Sequence, residues 1–283
     1  VEQEFGVWHL GGGLGTLADA LHRRCLERGV YVRTGVDVTE VTTNEAGVTG
    51  VVADGAHHEC DVVVSGIDAG VLYSDLLHDE RAIKASRSID RTDPSLAGFV
   101  LLLALRGRTP GLQHHNVWFP EDYDAEFDAI FGRAPRPVED PAIYVCSPDD
   151  PEMRPDSDHE SWFVLINAPR HDPAGGVDWT SPGLAEGYAQ RILDLLAQRG
   201  VDVRDRVLWH EWRSPADLER TARAPGGSIY GTASNGPRAA FARPTNASPI
   251  PGLFLVGGSS HPGGGLPLVG MGAEIAASLV GRG

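Results

Sequence analysis

The chain has 283 residues, which is enough for one large domain or two ordinary ones. Its formal net charge of −15 argues against a nucleic acid as partner, and no apolar run approaches the roughly twenty residues that a membrane span needs. The three cysteines are odd in number and far apart, which indicates a reducing compartment and a cytoplasmic protein.

The N-terminal part of the chain predicts a helix and a small antiparallel sheet. Apolar residues recur on one helical face over Leu14–Glu27, and Gly29 marks the end of that helix. The turn sequences at 45–47 and 54–55 are typical of hairpins. Strands are predicted over 30–33, 36–43, 48–52 and 61–65. We therefore expect a β-meander that leads into a buried strand.

The buried strand runs directly into a turn and a second helix. Residues 62–64 are apolar, Ser65-Gly66-Ile67-Asp68 forms the turn, and 71–77 predicts the helix. A strand that turns straight into a helix is typical of nucleotide-binding domains.

The character of the sequence changes near Asp79, where longer strands, many prolines and exposed loops begin. Strands are predicted over 95–106, 142–146 and 162–166, and an amphipathic helix over 184–199. We interpret 79–245 as an α+β insertion between two parts of a nucleotide-binding domain.

The last part of the chain runs from a buried strand at 253–256 through a glycine loop into a helix of small residues. The loop glycines leave no side chain between the backbone and a ligand. The chain is predicted to be helical from Leu268, and the free N–H groups of the first turn favour negative charge. This pattern predicts a nucleotide site, and its alternative is a glycine-rich connection that only permits tight packing.

A second glycine cluster, at 11–16, only partly matches a dinucleotide fingerprint. Gly11 and Gly13 have the first two spacings and a helix follows, but Thr16 stands at the third glycine. Arg33, at the end of the next predicted strand, would suit NADP rather than NAD. The short, polar-interrupted segment before Gly11 disfavours this interpretation.

The sequence pattern does not favour a metal centre or a serine hydrolase. The histidines form no His-x-x-x-His pair and have no cysteine or carboxylate at ligand spacing. Ser259-Ser260-His261 lacks the Gly-x-Ser-x-Gly elbow. The acidic clusters at 149–152 and 156–158 lie in proline-rich loops, where a solvated surface explains them better than calcium. We therefore predict no metal site.

These motifs together resemble the carotenoid desaturase family, meaning the bacterial phytoene desaturases and related FAD-dependent oxidoreductases. The segment 255–267, Leu-Val-Gly-Gly-Ser-Ser-His-Pro-Gly-Gly-Gly-Leu-Pro, is similar to the family's C-terminal signature, which lies against the flavin. The segment 8–17 is similar to its internal glycine segment, and 114–117 and 144–148 resemble its substrate domain. The resemblance covers essentially the whole chain.

The resemblance implies an α/β fold with an α+β substrate domain. The expected architecture is a partial Rossmann-like FAD-binding domain of the amine oxidase or phytoene desaturase type with an inserted mixed-sheet substrate domain. The resemblance assigns residues 1–78 and 246–283 to the FAD-binding domain and residues 79–245 to the substrate domain. The family's pyrophosphate-binding glycine motif is not found in the chain, which we interpret as a C-terminal portion that alone neither holds FAD tightly nor turns over substrate.

The resemblance also implies which residues contact FAD. Val38 matches the position whose backbone contacts adenine, and Gly258 stands where related amine oxidases carry an acidic ribityl ligand. His261, the only titratable group of the loop, is the candidate catalytic residue. The predicted cofactor-binding residues are Val38, Gly66, Asp68, Gly257, Gly258, Ser259, Gly263, Gly264, Gly265, Leu266, Pro267 and Leu268.

The implied activity is the FAD-dependent desaturation or oxidation of a carotenoid or related isoprenoid polyene by hydride transfer to the flavin. The alternatives are a non-catalytic isoprenoid-binding or escort protein on the same fold, and a flavin oxidoreductase for an amine or a retinoid. Because such a substrate resides in the bilayer, we expect peripheral membrane contact through 117–119 and 130–131. We expect strands 62–64 and 253–256 to have unpaired edges. Because unpaired backbone N–H and C=O groups can pair with those of a second chain, we predict a homo-dimer.

Overall fold

The computed structural model describes residues 2–233 and 243–281, and within them it shows three sheets with surrounding helices. The helices are α1 (Glu2–Phe5), α2 (Leu14–Glu27), α3 (Ala69–Val71), α4 (Ile83–Asp90), α5 (Tyr123–Phe131), α6 (Leu184–Gln198), α7 (Pro215–Ala222) and α8 (Leu266–Val280). The strands are β1 (Val38–Asn44), β2 (Gly47–Ala53), β3 (Ala56–Glu59), β4 (Val63–Ser65), β5 (Ala97–Arg106), β6 (His115–Trp118), β7 (Ile143–Cys146), β8 (His159–Ala168), β9 (Val207–Arg213) and β10 (Leu253–Leu255). The segment 234–242 of the predicted substrate domain lies outside the described residues. None of the helices in the described part is both long enough and apolar enough to cross a bilayer.

The first sheet is the predicted β-meander, with the order β1-β2-β3 and antiparallel pairing throughout. Asp54 and Gly55 form the turn between β2 and β3, with φ angles of 50° and 74°. Two successive left-handed residues match the twist of a two-residue hairpin, which confirms the prediction made from this dipeptide. The strand β3 was not predicted, because its residues Ala56–Glu59 are all exposed and carry no apolar alternation.

The second sheet is a parallel pair of short strands that lie far apart in the chain. Val63 of β4 is opposite Leu253 of β10, and Ser65 is opposite Leu255. Leu253 and Leu255 are each 1% exposed and pack in one core with residues of β1 and α3. The C-terminal segment therefore returns to the same core as the N-terminal meander.

The expectation of an unpaired edge at 253–256 is wrong for β10. The Leu255 N–H donates to the Asn246 carbonyl at 2.8 Å, and the Ser248 N–H donates to the Leu253 carbonyl at 3.0 Å. These bonds occupy the side of β10 that faces away from β4. No second strand pairs with β4 among residues 2–233 and 243–281, and the homo-dimer stays a prediction.

The third sheet is the framework of the middle of the chain, with the order β6-β7-β8-β5-β9. The strand β5 lies between β8 and β9, and it pairs with β8 over its whole length, from Ala97 opposite Ala168 to Arg106 opposite His159. The strands predicted in this region are confirmed. The sheet was expected to be mixed, and every pairing in it is antiparallel. Apolar periodicity identifies a strand but carries no information on its direction, so the sequence could not supply this detail.

One face of this sheet is buried against α6. Side chains of a strand alternate between the two faces of its sheet, so every second residue of β5 points the same way. The buried set is Phe99, Leu101, Leu103 and Leu105, each at most 2% exposed. Ile192 and Leu196 of α6 pack against this set. The apolar stripe predicted for this helix thus covers the sheet.

The helix α2 has the predicted bounds, but its apolar face is not buried. Leu14, Leu21 and Leu26 are 64%, 59% and 54% exposed. The strand predicted at 30–33 is wrong, since these residues form no strand and Tyr31 is 85% exposed. A strand exists only where a neighbour takes up its backbone N–H and C=O groups, and local periodicity does not supply that neighbour.

The two faces of β5 predict different effects of the same truncation. Leu101→Ala should lower the free energy of unfolding by about 2–5 kcal/mol, because it leaves a cavity in a fully buried layer. Leu102→Ala, on the opposite half-exposed face, should lower it less. Urea unfolding of the two variants measures both values, and equal losses would contradict the assignment of the buried face.

Candidate functional site

The glycine loop lies at the carboxyl ends of the two parallel strands. The Val256 N–H donates to the Ser65 carbonyl at 2.9 Å, which extends the pairing one residue beyond β10. Gly257 follows with a φ of 97°, and a Cβ at this position would lie 3.2 Å from the carbonyl oxygen of Gly66. The two turns after β4 and β10 therefore meet backbone to backbone, at the edge where open α/β sheets bind their ligands.

Ser259 joins the two turns through side-chain hydrogen bonds. Its Oγ accepts from the Ala69 N–H at 3.0 Å, and its hydroxyl also bonds to the Asp68 carboxylate. Asp68 caps α3 by accepting from the Gly70 N–H at 2.8 Å. Burial raises the pKa of Asp68, although the bonds from Gly70, Val71 and Ser259 oppose this shift.

A buried arginine, Arg243, donates a hydrogen bond to the backbone of the glycine loop. Arg243 is 9% exposed, and its Nη1 donates to the carbonyl oxygens of Tyr230 at 2.8 Å and Gly258 at 2.9 Å. Removal from water lowers the pKa of this guanidinium. Asn246 is a second brace, because its Nδ2 donates to the carbonyls of Leu255 and His261. Sequence reasoning missed both residues, since they are distant from the loop motif and contact only its backbone.

His261, the predicted catalytic residue, is held in the loop by its main chain. Its N–H donates to the Pro244 carbonyl at 2.8 Å, and its carbonyl accepts from Asn246 at 2.8 Å. The residue is exposed. These contacts give it a structural role, and its catalytic role stays a prediction.

The helix α8 begins at Leu266, two residues earlier than predicted. Leu266, Pro267 and Leu268 therefore form its first turn instead of lying in the loop. Proline suits this position because the first N–H groups of a helix have no internal partner. Gly265 precedes the helix with a φ of 101°, and no side chain caps it. The N-terminal N–H groups are thus available to an anionic ligand.

The structure brings most of the predicted cofactor residues together. Those in the joined turns, the loop and the first turn of α8 are Gly66, Asp68, Gly257, Gly258, Ser259, Gly263, Gly264, Gly265, Leu266, Pro267 and Leu268. Val38 lies elsewhere, as the first residue of β1 in the meander, and the hydrogen bonds that join the two turns do not include it.

The five-stranded sheet leaves a second apolar surface, which we call the open sheet face. It consists of the residues of β5 that alternate with the buried set, together with the residues opposite them on the neighbouring strands. Its members include Trp209, Glu211, Arg213, Val100, Leu102, Ala104, Ser161, Leu165, Phe163, Tyr144, Cys146, Val117 and His115. None of them is buried. The unbroken apolar run of β5 was the signal for this surface, because alternation places every second apolar residue on the side of the sheet that α6 does not cover.

A short segment connects the open sheet face to the glycine loop. A Cβ on Gly98, near the start of β5, would lie 3.8 Å from the Ile229 side chain. A Cβ on Gly264 would lie 2.7 Å from the ring of Tyr230. Ile229 and Tyr230 therefore lie between the apolar strand surface and the start of α8, and they remain 36% and 46% exposed.

A cleft of about 540 Å³ adjoins the joined turns. Asp68 and Ser259 line it, together with Arg170 and Glu219. Arg223 and Asp75 form an ion pair at 3.3 Å across it. Val71 and Ile89 also line it, so its walls combine charged and apolar side chains.

The raised pKa of Asp68 predicts a pH-dependent stability. Its contribution is present below its ordinary value of 3.8 and is lost as the pH rises through the higher pKa of the folded state. Asp68→Asn keeps an acceptor for the Gly70 N–H and removes the charge. Relative to the parent, this variant should gain stability as the pH rises from about 4 to 7.

Asp79 serves as a control, because its pKa is shifted in the opposite direction to that of Asp68. The hydrogen bond from Arg81 holds the pKa of Asp79 well below its usual range, so Asp79→Asn should be less stable than the parent throughout this pH range. Urea unfolding at several pH values measures both differences. A pH-independent difference for Asp68→Asn would show that its carboxylate is not destabilised by burial.

The chain matches one family model and a group of curated relatives. The model for flavin-containing amine oxidoreductases matches residues 2–278. The 4,4'-diaponeurosporene oxygenase of Staphylococcus haemolyticus is 32% identical over 95% of this chain and 53% of its own length. The hydroxyneurosporene desaturase of Rubrivivax gelatinosus is 33% identical over 97% of this chain and 52% of its own length. The chain thus spans about half the length of these relatives, and the resemblance to carotenoid desaturases is confirmed.

Solved structures show the same fold at low sequence identity. An oxidoreductase from Methanosarcina mazei has a TM-score of 0.62 and 17% identity over 96% of this chain and 55% of its own. Cyclohexylamine oxidase from Brevibacterium oxydans has a TM-score of 0.55 and 12% identity over 95% of this chain and 53% of its own. These matches confirm the predicted α/β fold class. With a family match from residue 2 to residue 278, the chain belongs to the flavin-containing amine oxidoreductase family.

Proposed function

We propose that the chain is part of an FAD-dependent oxidoreductase that desaturates or oxidises a carotenoid or related isoprenoid polyene. The names of the relatives support this class of substrate, since they include a diaponeurosporene oxygenase and a 1-hydroxycarotenoid 3,4-desaturase. In this proposal, 1–78 and 246–283 contribute to the FAD-binding domain and 79–245 forms the substrate domain.

The residues of the loop fit a flavin. Gly263, Gly264 and Gly265 present backbone alone before α8, and the helix N-terminus has no side-chain cap. Such an end favours negative charge through its free N–H groups and its dipole. We assign the loop and the turn at Gly66 and Asp68 to the flavin, and the backbone of Val38 to its adenine.

The observation that carries the proposal is the continuity of the open sheet face with the loop. Leu102, Phe163 and Leu165 offer an apolar surface for a long chain, and Phe163 is 40% exposed. Ile229 and Tyr230 continue this surface to Gly264. A polyene that lies along the face would therefore reach the glycine loop.

The chemistry divides between the cofactor and the chain. When bound, FAD supplies an acceptor for a hydride. The N-terminus of α8 stabilises negative charge placed against it, and Arg243 keeps the loop backbone in position through the Gly258 carbonyl. The apolar residues of the open sheet face orient the polyene and exclude water, which is the positioning that such a reaction requires.

The test uses the full-length protein loaded with FAD and a carotenoid precursor. Under anaerobic conditions, the polyene should reduce the flavin, which is seen as a loss of the absorbance of oxidised flavin. The absorbance of the polyene should shift at the same time. A lack of flavin reduction would overturn the proposed oxidoreductase. Stoichiometric binding of polyene to protein without flavin would favour the escort alternative.

The open sheet face is tested by paired substitutions. Phe163→Asp and Leu102→Asp should lower polyene turnover at least about tenfold, because an unpaired carboxylate against an apolar chain costs several kcal/mol. Leu208→Asp is the matched control, since Leu208 is 51% exposed and does not belong to the open sheet face. Flavin content should be the same in all variants, and equal turnover in the two groups would exclude this path for the substrate.

We further propose peripheral contact with the bilayer through an aromatic stripe formed by α5 and by Phe119, which precedes it. Its members are Phe119, Tyr123, Phe127 and Phe131, spaced four residues apart and 38–66% exposed. Successive ring centroids lie 5.7, 5.2 and 6.5 Å apart. The predicted contact at 117–119 and 130–131 is thus refined, since Ile130 is buried and the stripe runs along the exposed side. The acidic residues of this helix and the net charge of −15 favour zwitterionic lipid.

If the aromatic stripe contacts the bilayer, replacing two of its phenylalanines with serine should weaken membrane binding. Phe119→Ser with Phe131→Ser should reduce the fraction that floats with zwitterionic vesicles at least about tenfold, because each phenylalanine contributes about 1.5–3 kcal/mol when buried. Tyr31→Ser removes an 85% exposed aromatic elsewhere and should leave flotation unchanged. A parent protein that remains wholly in the aqueous fraction would disprove the contact.

A further inference from the structure

We propose that His114, His115 and Cys146 form a binding site for a transition-metal ion of the zinc class. One donor atom from each of the three side chains lies within 4.8 Å of the other two. They are the one group of this kind among the described residues. The sequence predicted no metal site, because Cys146 is distant from the two histidines in the chain.

The strand pairing builds the cluster. The strands β6 and β7 run antiparallel with His115 directly opposite Cys146, so their side chains lie on the same face of the sheet. His114 precedes β6, and its carbonyl accepts from the Ser147 N–H at 2.9 Å. This bond continues the ladder past the strand end, and the rings of His114 and His115 lie 4.5 Å apart.

Neighbouring side chains orient the two imidazoles. The Tyr144 hydroxyl lies 2.8 Å from Nδ1 of His115 and also hydrogen-bonds to the Cys146 thiol, so it contacts two members of the cluster. His9 packs edge-on against His114 with ring centroids 5.0 Å apart, and its own Nε2 is held by Asp150 at 2.8 Å. Metal-binding histidines typically have such an outer partner, which fixes the ring and its tautomer.

The donor set selects the class of ion. Two imidazole nitrogens and one thiolate suit zinc and its neighbours in the first transition series, whereas calcium and magnesium prefer oxygen. At metal–ligand distances of about 2.0–2.3 Å, tetrahedral donors are separated by about 3.3–3.8 Å. Closing the observed cluster requires movements of about 1 Å, which half-exposed and exposed side chains accomplish by small torsional changes.

The position of the cluster leaves one coordination site open. His115 and Cys146 belong to the open sheet face and lie at its β6 edge. His115 is exposed, so water completes the coordination. A bound ion would cross-link β6 to β7 and, through the packing of His9 on His114, would fix the segment before α2 against them.

The test is a metal titration of the full-length protein after treatment with a chelator. Competition with a chromophoric chelator should give one zinc ion per chain. Cobalt(II) should give a thiolate-to-metal charge-transfer band. Cys146→Ser should abolish this band and weaken zinc binding more than a hundredfold. Tyr144→Phe should weaken binding about 10–100-fold, as expected for an outer partner.

The other two cysteines provide matched controls. Cys25 and Cys60 are free and partly exposed like Cys146, so Cys25→Ser and Cys60→Ser should keep both the band and the affinity. Circular dichroism verifies that each variant is folded. A band that persists in Cys146→Ser, or zinc binding that Cys146→Ser and Cys60→Ser weaken equally, would overturn the site. The titration needs neither flavin nor polyene, so its result is independent of the proposed function.

Discussion

The parallel pairing of β4 with β10 is the contact on which the site depends. It brings Ala69 and Ser259, 190 residues apart in the chain, within hydrogen-bonding distance. Because parallel strands end at the same edge, both glycine-containing turns meet there without further help. The pairing is short, with three residues on each strand. Its stability comes from the buried Leu253 and Leu255, which pack with the meander and α3.

The loop after β10 is positioned through backbone groups. Arg243 and Asn246 donate to carbonyl oxygens of the loop, and Ser259 accepts from an N–H of the neighbouring turn. The bonds from Arg243 and Asn246 need only the loop carbonyls, so apart from Ser259 much of the loop can consist of glycine and leave space for a ligand.

The five-stranded sheet combines two functions through its alternation of side chains. One face of β5 is sealed by α6 and supplies the main core. The other face is largely apolar and only partly covered. Exposed apolar surface of this kind is unfavourable in water and is typical of a binding site. At its edge this open sheet face changes from aliphatic residues to Tyr144, Cys146 and His115. The same face of one sheet thus offers an apolar surface near the glycine loop and, at its β6 edge, the cluster that we propose binds a metal.

The sequence by itself determined the elements whose physics is local. The bounds of α2 follow from helical periodicity, the turn at Asp54 and Gly55 from its demand for left-handed residues, and β5 from its apolar run. The family motif located most of the cofactor loop. The tertiary structure decided the rest: no neighbour among the described residues pairs with 30–33, α8 begins at Leu266, and Arg243 donates to a loop carbonyl far along the chain. It also placed Cys146 beside His115, because the register of two strands is set by long-range pairing that no local pattern records.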